Sequence, residues 1–335
     1  MNSIDRILFY SPRFSRIGKG VIGIAISAAC MALTLRGVDL EAFTTRMGEV
    51  NVWMLVPILI SIAAIFLFKA FRWQYQMGFL KKIPFWRSFS AIMIGFTANN
   101  VAPLRAGDLF RAHLLGRQEG ISTTTVFATV ALERVFDVAS IVTVCLLLAL
   151  MITLPGWLKS SIIILSILLL IGMVGLIFFR PGARFISGLW DFASRPLPEK
   201  LRELISTQTV QINSGLQTVT GKTRFINLFL LAMAEWVLWG ELAQYSLGSI
   251  GVDLPMAVIM SIVVVTNLAM IVPAAPANIG VFEYAVMSTL EFYQVDHNSA
   301  FSAAVIIHAF FVVPASFVGL MLFIKRLLAA ESVSK

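Results

Sequence analysis

The chain has 335 residues, of which 58% are hydrophobic and only 13% are charged. Soluble domains carry about 25% charged residues, so this composition excludes an ordinary soluble protein and predicts an all-α polytopic membrane protein. Basic residues at the ends of apolar segments account for much of the formal net charge of +8, as the positive-inside rule places them. We therefore expect no nucleic-acid partner.

Six apolar segments are candidates for membrane-spanning helices. They cover residues 21–35, 52–71, 123–154, 161–179, 225–247 and 299–324. Basic residues precede the first segment and follow the second, the fourth and the sixth. This pattern places those ends, and both termini of the chain, in the cytoplasm.

Two further apolar regions are interrupted. Residues 85–101 and 104–115 flank an Asn-Asn-Val-Ala-Pro break, and residues 254–272 and 279–293 flank a Pro-Ala-Ala-Pro break. Broken backbone at membrane depth is tolerated only where it faces protein or a wet cavity. We predict that each region is a re-entrant helical hairpin, the first entering from the cytoplasm and the second from outside.

The hairpins carry the same Pro-x-x-x-Gly pattern at residues 103–107 and 276–280, 173 positions apart. We predict one integral membrane domain over residues 1–335, with repeats at about 52–154 and 226–325 and a cytoplasmic amphipathic insert at 183–222. Three spans separate the repeat starts, so the second repeat is inverted. Inverted repeats with broken helices are typical of secondary transporters, although chance similarity in apolar sequence is the alternative.

Polar and charged residues cluster around the hairpin tips, where a buried charge costs about 3 kcal/mol or more and usually serves function. The candidate substrate-binding residues are Asn99, Asn100, Arg105, Asp108, Arg111, Arg134, Asn278 and Gly280. The candidates for a charge network or for ion coupling are Glu133, Asp137, Glu235, Glu241, Glu283 and His308. We expect no catalytic residue, metal site or cofactor.

The hairpin tips suit an anion such as a phosphate. A helix that begins at a tip presents unpaired N–H groups and a partial positive charge, and Arg105 would add a guanidinium fork. The alternative is that Asp108, Glu133 and Asp137 neutralise Arg105 and Arg134 internally.

The second hairpin leaves two roles open for each of its titratable residues. Glu283 follows Gly280 by three positions, so it either caps its own helix or takes part in coupling. His308, inside an apolar span, is either a packed core residue or a proton carrier.

Three motifs in order carry a family resemblance. They comprise Asn100, Pro103, Arg105, Gly107, Asp108 and Arg111; Glu133, Arg134 and Asp137; and Pro273, Pro276, Gly280 and Glu283. Together they resemble the flippase-like family defined by the transmembrane region of lysylphosphatidylglycerol synthases, over roughly residues 20–328.

The resemblance implies an integral membrane protein that moves polar lipids between leaflets. Some relatives are fused to a soluble aminoacyl-lipid synthase, a domain that we do not find here, so lipid aminoacylation is not carried over. The chain departs from the family at Ala277 and Asn278, where glycines are usual, and Ala adopts left-handed backbone poorly.

The leading hypothesis is therefore a flippase of the bacterial cytoplasmic membrane that moves an anionic or phosphate-bearing lipid by alternating access. A membrane-embedded lipid-modifying transferase is the first alternative. A non-transporting partner of a separate lipid-modifying enzyme is the second.

Overall fold

The computed structural model describes residues 13–101, 106–178, 199–272 and 274–333, and within them the regular secondary structure is helical. The helices are α1 (Arg13–Leu35), α2 (Leu40–Gly48), α3 (Leu55–Met77), α4 (Phe85–Val101), α5 (Ala106–Glu119), α6 (Thr123–Met151), α7 (Gly156–Phe178), α8 (Glu199–Leu216), α9 (Lys222–Gly248), α10 (Met256–Ala269), α11 (Val281–Phe292) and α12 (His297–Val333). Short 3-10 turns cover Val52–Met54, Gln217–Val219 and Pro276–Asn278.

Four stretches of the described chain are long and apolar enough to cross a bilayer, and they match four of the six predicted spans. They are Val52–Met77, Thr123–Met151, Lys222–Gly248 and His297–Ala329. A fifth is obtained if α1 and α2, which meet at 85°, count as one broken span. The predicted segment 161–179 is helical as far as Phe178, within α7, whose described apolar part, Gly156–Gly172, is shorter. The chain is a multi-pass helical membrane protein.

The loops that the charge pattern assigns to the outside lie together at one end of the bundle. The Asp39 amide donates to Asn298 Oδ1 at 2.9 Å, and Arg46 lies 3.6 Å from Asp296. The Asn51 amide donates to the carbonyl of Ser249 at 2.8 Å. The bundle therefore groups these loops as the sequence predicts for a common side.

The loops assigned to the cytoplasm lie together at the other end. Arg224 donates to the carbonyl of Tyr75 at 2.7 Å, and Ser122 donates to Gln211 at 2.6 Å. Because the Asn51–Ser249 contact joins the opposite ends of the same two helices, α3 and α9 run antiparallel.

Cysteine labelling tests the assignment of the two ends. On a background without Cys30 and Cys145, we expect Arg117→Cys to react only from the cytoplasm and Glu49→Cys only from outside, since both positions are exposed at opposite ends of the bundle. Membrane-impermeant maleimide, added to intact cells or to inverted vesicles, reports the side. Labelling of both positions from one side would contradict the topology.

Helices α4 and α5 form an antiparallel hairpin. At its tip, Asn99 Oδ1 accepts a hydrogen bond from the Gly107 amide at 2.8 Å. At its base, Arg87 donates to Glu119 at 2.7 Å. The two helices approach closely because a side chain on Gly107 would run into the carbonyl of Gly95. The residues that join them, 102–105, lie outside the described residues.

Glu119 fastens the base of this first hairpin. Burial opposes ionisation, but hydrogen bonds from Arg87 and Lys81 outweigh it and hold the pKa of Glu119 below its ordinary value. The stabilisation is therefore complete above the ordinary Glu pKa of about 4.3 and is lost as the pH falls through the lower folded value.

We expect Glu119→Gln to lower the free energy of unfolding by about 2 kcal/mol at neutral pH, because two cations lose their anionic partner. The difference between parent and variant should shrink in acid. Thermal unfolding in detergent across a pH series measures both effects. A constant difference down to pH values where the parent carboxylate is protonated would argue against this role.

Helices α10 and α11 form the second hairpin, and each hairpin has its own hydrophobic core. The first core joins α3, α4 and α5 around Trp73 and Leu115, which are at most 1% exposed. The second joins α10, α11 and α12 around Val264, Val286 and Ala303. Each hairpin is thus fixed by packing at its flanks, which leaves the two tips to face each other.

The predicted insert is described only from residue 199 onward, and its segment 183–198 lies outside the described residues. Helix α8 packs on the start of α6, where Thr124 donates to Gln208 at 2.6 Å and Thr125 donates to the carbonyl of Gln211 at 3.0 Å. Gly215 permits this approach, because a side chain there would meet the carbonyl of Thr125. This part of the insert is therefore docked on the helix bundle.

Candidate functional site

A cavity of about 420 Å³ lies between the tips of the two hairpins. Asn99 and Asn100 border it from the end of α4, and Asn278 borders it from the turn before α11. Asn267, near the end of α10, adds a fourth side-chain amide. Both predicted tips therefore contribute to one site, although they are more than 170 residues apart in sequence.

The second tip turns sharply because consecutive residues adopt left-handed backbone. Ala277 has φ 56° and Asn278 has φ 58°, while Gly280 has φ 87°. The left-handed region is costly for alanine. Here the carbonyl of Ala277 accepts a hydrogen bond from His308 Nε2 at 2.9 Å, which helps to hold the turn.

Beside the cavity, four buried side chains form the inner layer of a charge network: Arg72, Arg111, Glu133 and Glu235. Each is at most 6% exposed. Arg111 donates to Glu133 at 2.8 Å, and Arg72 lies 3.3 Å from Glu133 and 3.2 Å from Glu235. The guanidinium of Arg111 also lies over the ring of Trp73, 5.0 Å from its centre. Two cations and two anions therefore neutralise each other away from water.

The outer layer faces the cavity and comprises Lys69, Asp108, Arg134 and Asp137. Arg134 donates to Asp108 at 2.7 Å and to Asp137 at 3.2 Å, and its side chain is still 40% exposed. Arg72 connects the layers by donating to Asp137 at 2.9 Å. This layer also contains two cations and two anions.

Lys69 and Arg72 were not among the predicted site residues. The charge pattern assigns them to the cytoplasmic flank of the span at 52–71, but α3 continues to Met77 and carries Arg72 into the bundle. Their spacing indicates one common helix face, because Lys69, Arg72, Trp73 and Gln76 follow an i, i+3, i+4, i+7 pattern. Such a polar stripe marks one helix face that turns toward other protein.

Glu283 and His308 meet beside the second tip. His308 Nδ1 lies 2.5 Å from Glu283 Oε1, and both residues are buried. The other carboxylate oxygen of Glu283 accepts from the Gly280 amide at 2.7 Å. Glu283 therefore caps its own helix and contacts His308 at the same time.

The remaining candidates are placed differently. Glu241 lies on α9 but forms no ion pair within the described chain, so the structure does not bring it into the network. Arg105 lies outside the described residues, as do Pro103 and Pro273. Glu133 takes its closest ion pair from Arg111, whereas Arg134 pairs with Asp108 and Asp137.

Gly280 allows α1 to pack against the second tip. A side chain at this position would overlap the carbonyl of Ser27, whose hydroxyl accepts a hydrogen bond from the Ala275 amide at 2.8 Å. We expect Gly280→Val to lower the melting temperature, since a β-branched residue resists a φ of 87°. Gly48→Val is the matched control, because a Cβ on Gly48 meets no atom within 4 Å. A parental melting temperature for Gly280→Val would show that the tip tolerates another geometry.

Comparison with known proteins identifies relatives of this chain. Glycosyltransferase AglD of Haloferax volcanii is 25% identical over 340 aligned positions, which cover 89% of this chain and 53% of that relative. The UPF0104 membrane protein MJ1078 of Methanocaldococcus jannaschii is 22% identical over 211 positions, covering 62% of this chain and 85% of the relative. The chain thus spans about half the length of AglD.

A family model supports the same grouping across most of the chain. The model described as the lysylphosphatidylglycerol synthase TM region matches residues 20–319. This match includes both hairpins, the charge network and the Glu283–His308 pair. The chain therefore belongs to the lysylphosphatidylglycerol synthase transmembrane-region family.

Proposed function

We propose that the protein is a flippase that moves a phosphate-bearing lipid between the leaflets of the cytoplasmic membrane. The observation that carries this proposal is the composition of the cavity wall. One part presents Lys69 and Arg134, and another part is aromatic, with Phe66, Phe96 and Phe311. Such a wall suits a polar headgroup joined to hydrocarbon.

The size of the cavity is also in keeping with a lipid headgroup. Its volume of about 420 Å³ lies within the range of about 300–1,000 Å³ that small-molecule sites occupy. Four side-chain amides from the hairpins supply donors and acceptors for hydroxyl or phosphate oxygens. Acyl chains would remain in the bilayer or along the aromatic wall.

Arg134 is the candidate phosphate ligand among the described residues. Its guanidinium is bound by Asp108 and Asp137, yet 40% of the side chain remains exposed in the cavity region. A phosphate can replace one carboxylate and retain two parallel hydrogen bonds to the guanidinium fork. Substrate binding would therefore be an exchange of anions, not a simple attraction to excess positive charge.

Alternating access would follow from an inverted repeat. Helices α3 and α9, which begin the two proposed repeats, run antiparallel, as inverted repeats require. The first tip packs on α12 through Asn100 and Ser316, 2.8 Å apart, and the second packs on α1 through Ala275 and Ser27. The first tip thus packs on α12, whereas the second packs on both α1 and α12, where His308 contacts Ala277.

A transferase is the second candidate, and the description of the relative AglD as a glycosyltransferase favours it. This chain matches about half of that relative, so the activity of the relative can reside in the part that is not matched. A non-transporting partner of a lipid-modifying enzyme is the third candidate. The docked helix α8 would give such an enzyme a fixed surface to contact.

Reconstitution separates the three candidates. We expect purified protein in liposomes to move NBD-labelled phosphatidylglycerol between leaflets, as dithionite quenching measures, without forming a new lipid by mass spectrometry. NBD-labelled diglucosyl diacylglycerol, which has no phosphate, is the control and should move much more slowly. A new lipid product would support the transferase. Neither movement nor product would support the partner role.

A further inference from the structure

The Glu283–His308 contact and the neighbouring contact of His308 with Ala277 together require two protons. His308 has an oxygen acceptor at each ring nitrogen: Glu283 Oε1 at 2.5 Å from Nδ1, and the Ala277 carbonyl at 2.9 Å from Nε2. A carbonyl oxygen accepts and never donates, so Nε2 carries a proton. A second proton must lie between Nδ1 and Glu283, because two lone pairs at that distance repel each other.

Two protons are thus shared by the imidazole and the carboxylate. The pair is either imidazolium with carboxylate or neutral imidazole with carboxylic acid, and both forms have no net charge. After one proton is lost, a neutral imidazole beside a carboxylate can donate through only one nitrogen. Either the contact with Glu283 or the contact with Ala277 is then broken.

Both contacts hold the second hairpin tip. Ala277 and Gly280 have positive φ values, and the Gly280 amide donates to the same carboxylate that meets His308. The ring of His308 is stacked on Phe282, with centroids 4.4 Å apart, which fixes its orientation. A change in protonation therefore acts directly on the turn that borders the cavity.

No other charged group takes part in this pair within the described chain. The charged residues that share the cavity are Lys69, Asp108, Arg111, Arg134 and Asp137, and their ion pairs lie within the charge network. Neighbouring helices α1, α4 and α10 contribute to this region the neutral groups of Ser27, Asn99, Asn100 and Asn267. Charged residues elsewhere on the helices packed against α11 and α12 are Arg13, Arg16 and Lys19 on α1, Glu41 and Arg46 on α2, Arg72 on α3, Arg87 on α4, and Lys222, Arg224, Glu235 and Glu241 on α9.

We propose that Glu283 and His308 form a proton-binding site that closes the second hairpin tip, and that release of its proton opens the tip. The ligand is the proton itself. The site would link lipid movement to pH, and this consequence rests on the proposed flippase function. The proton site does not depend on it.

Glu283→Gln separates protonation from packing. The side-chain amide that this substitution introduces can donate to Nδ1 of neutral His308, its oxygen can still accept from Gly280, and Nε2 can still donate to Ala277. Every contact is kept without a proton that can be lost. The matched control is Glu291→Gln. Glu291 makes the same 2.5 Å contact with His297 Nδ1, but at the base of the second hairpin and not at its tip.

Hydrogen–deuterium exchange of the full chain in detergent tests the site. After correction for the intrinsic rate, exchange in peptides covering residues 274–292 of the parent, measured across a pH series, should rise with pH. The rise should approach tenfold per pH unit, the slope for one released proton. Glu283→Gln should stay protected throughout, and Glu291→Gln should follow the parent.

Two results would overturn the proposal: exchange in the parent that does not change with pH, or a Glu283→Gln profile that follows the parent. Translocation of NBD-labelled phosphatidylglycerol is measured separately in liposomes. If exchange behaves as expected but no lipid moves, the proton site stands and the flippase function fails. If lipid moves but parental exchange is independent of pH, the function stands and the proton site fails.

Discussion

Replacing Arg72 with alanine is expected to destabilise the protein more than any other single change in the charge network. Arg72 is 3% exposed and lies within 3.3 Å of Glu133, Asp137 and Glu235. Removing one partner of a buried ion pair typically costs about 3–5 kcal/mol, because the remaining charge is left without compensation. Thermal unfolding in detergent measures the loss.

The control for Arg72→Ala uses an exposed member of the same network. Arg134→Ala should change the melting temperature little, since its side chain is 40% exposed and each carboxylate partner keeps another arginine, Arg111 beside Asp108 and Arg72 beside Asp137. The double variant Arg72→Ala/Glu235→Gln should recover part of the lost stability by removing one stranded charge. If Arg72→Ala melts with the parent, the buried layer does not support the fold.

Arg134→Ala is expected to remove most translocation of NBD-labelled phosphatidylglycerol while leaving the fold intact. The reason is that Arg134 presents the guanidinium that a phosphate can reach from the cavity. Arg134→Lys should retain only part of the activity, because an ammonium group cannot form two parallel hydrogen bonds to phosphate oxygens. Initial rates of dithionite quenching give the activities.

Arg87→Ala is the matched control for this change. Arg87 is also a half-exposed arginine in an ion pair, but it contacts Glu119 at the base of the hairpin and does not border the cavity. Its loss should leave the translocation rate near that of the parent. Equal rates for Arg134→Ala and the parent would move the phosphate site to another group.

The sequence predicts the helical membrane class well because composition and apolar length determine it directly. The four longest apolar stretches of the described chain match predicted spans. The count of six is not reached in the described residues, where four stretches qualify, or five with the bent pair. Gly37, with φ 89°, lies at the break between α1 and α2, and such local bends leave little trace in hydropathy.

The candidate site was predicted in part. Proline and asparagine breaks in apolar sequence indicate where both tips lie. The cavity between the tips depends on how the two hairpins pack against each other, and no local sequence pattern predicts that packing. Lys69 and Arg72 were assigned to the cytoplasmic end of the span at 52–71, because the positive-inside rule already explains basic residues at such an end. The Glu283–His308 contact joins residues 25 positions apart on two helices, so the sequence leaves both roles of each residue open.

A reversible cross-link between the two tips tests alternating access most directly. On a background without Cys30 and Cys145, cysteines replace Asn100 at the first tip and Ala275 at the second, two residues that border the same cavity. A short, reducible thiol cross-linker should stop translocation of NBD-labelled phosphatidylglycerol in liposomes, and reduction should restore it. Each single-cysteine variant, treated identically, should keep its rate. Translocation at the uncross-linked rate, in protein whose cross-link mass spectrometry verifies, would contradict movement of one tip against the other.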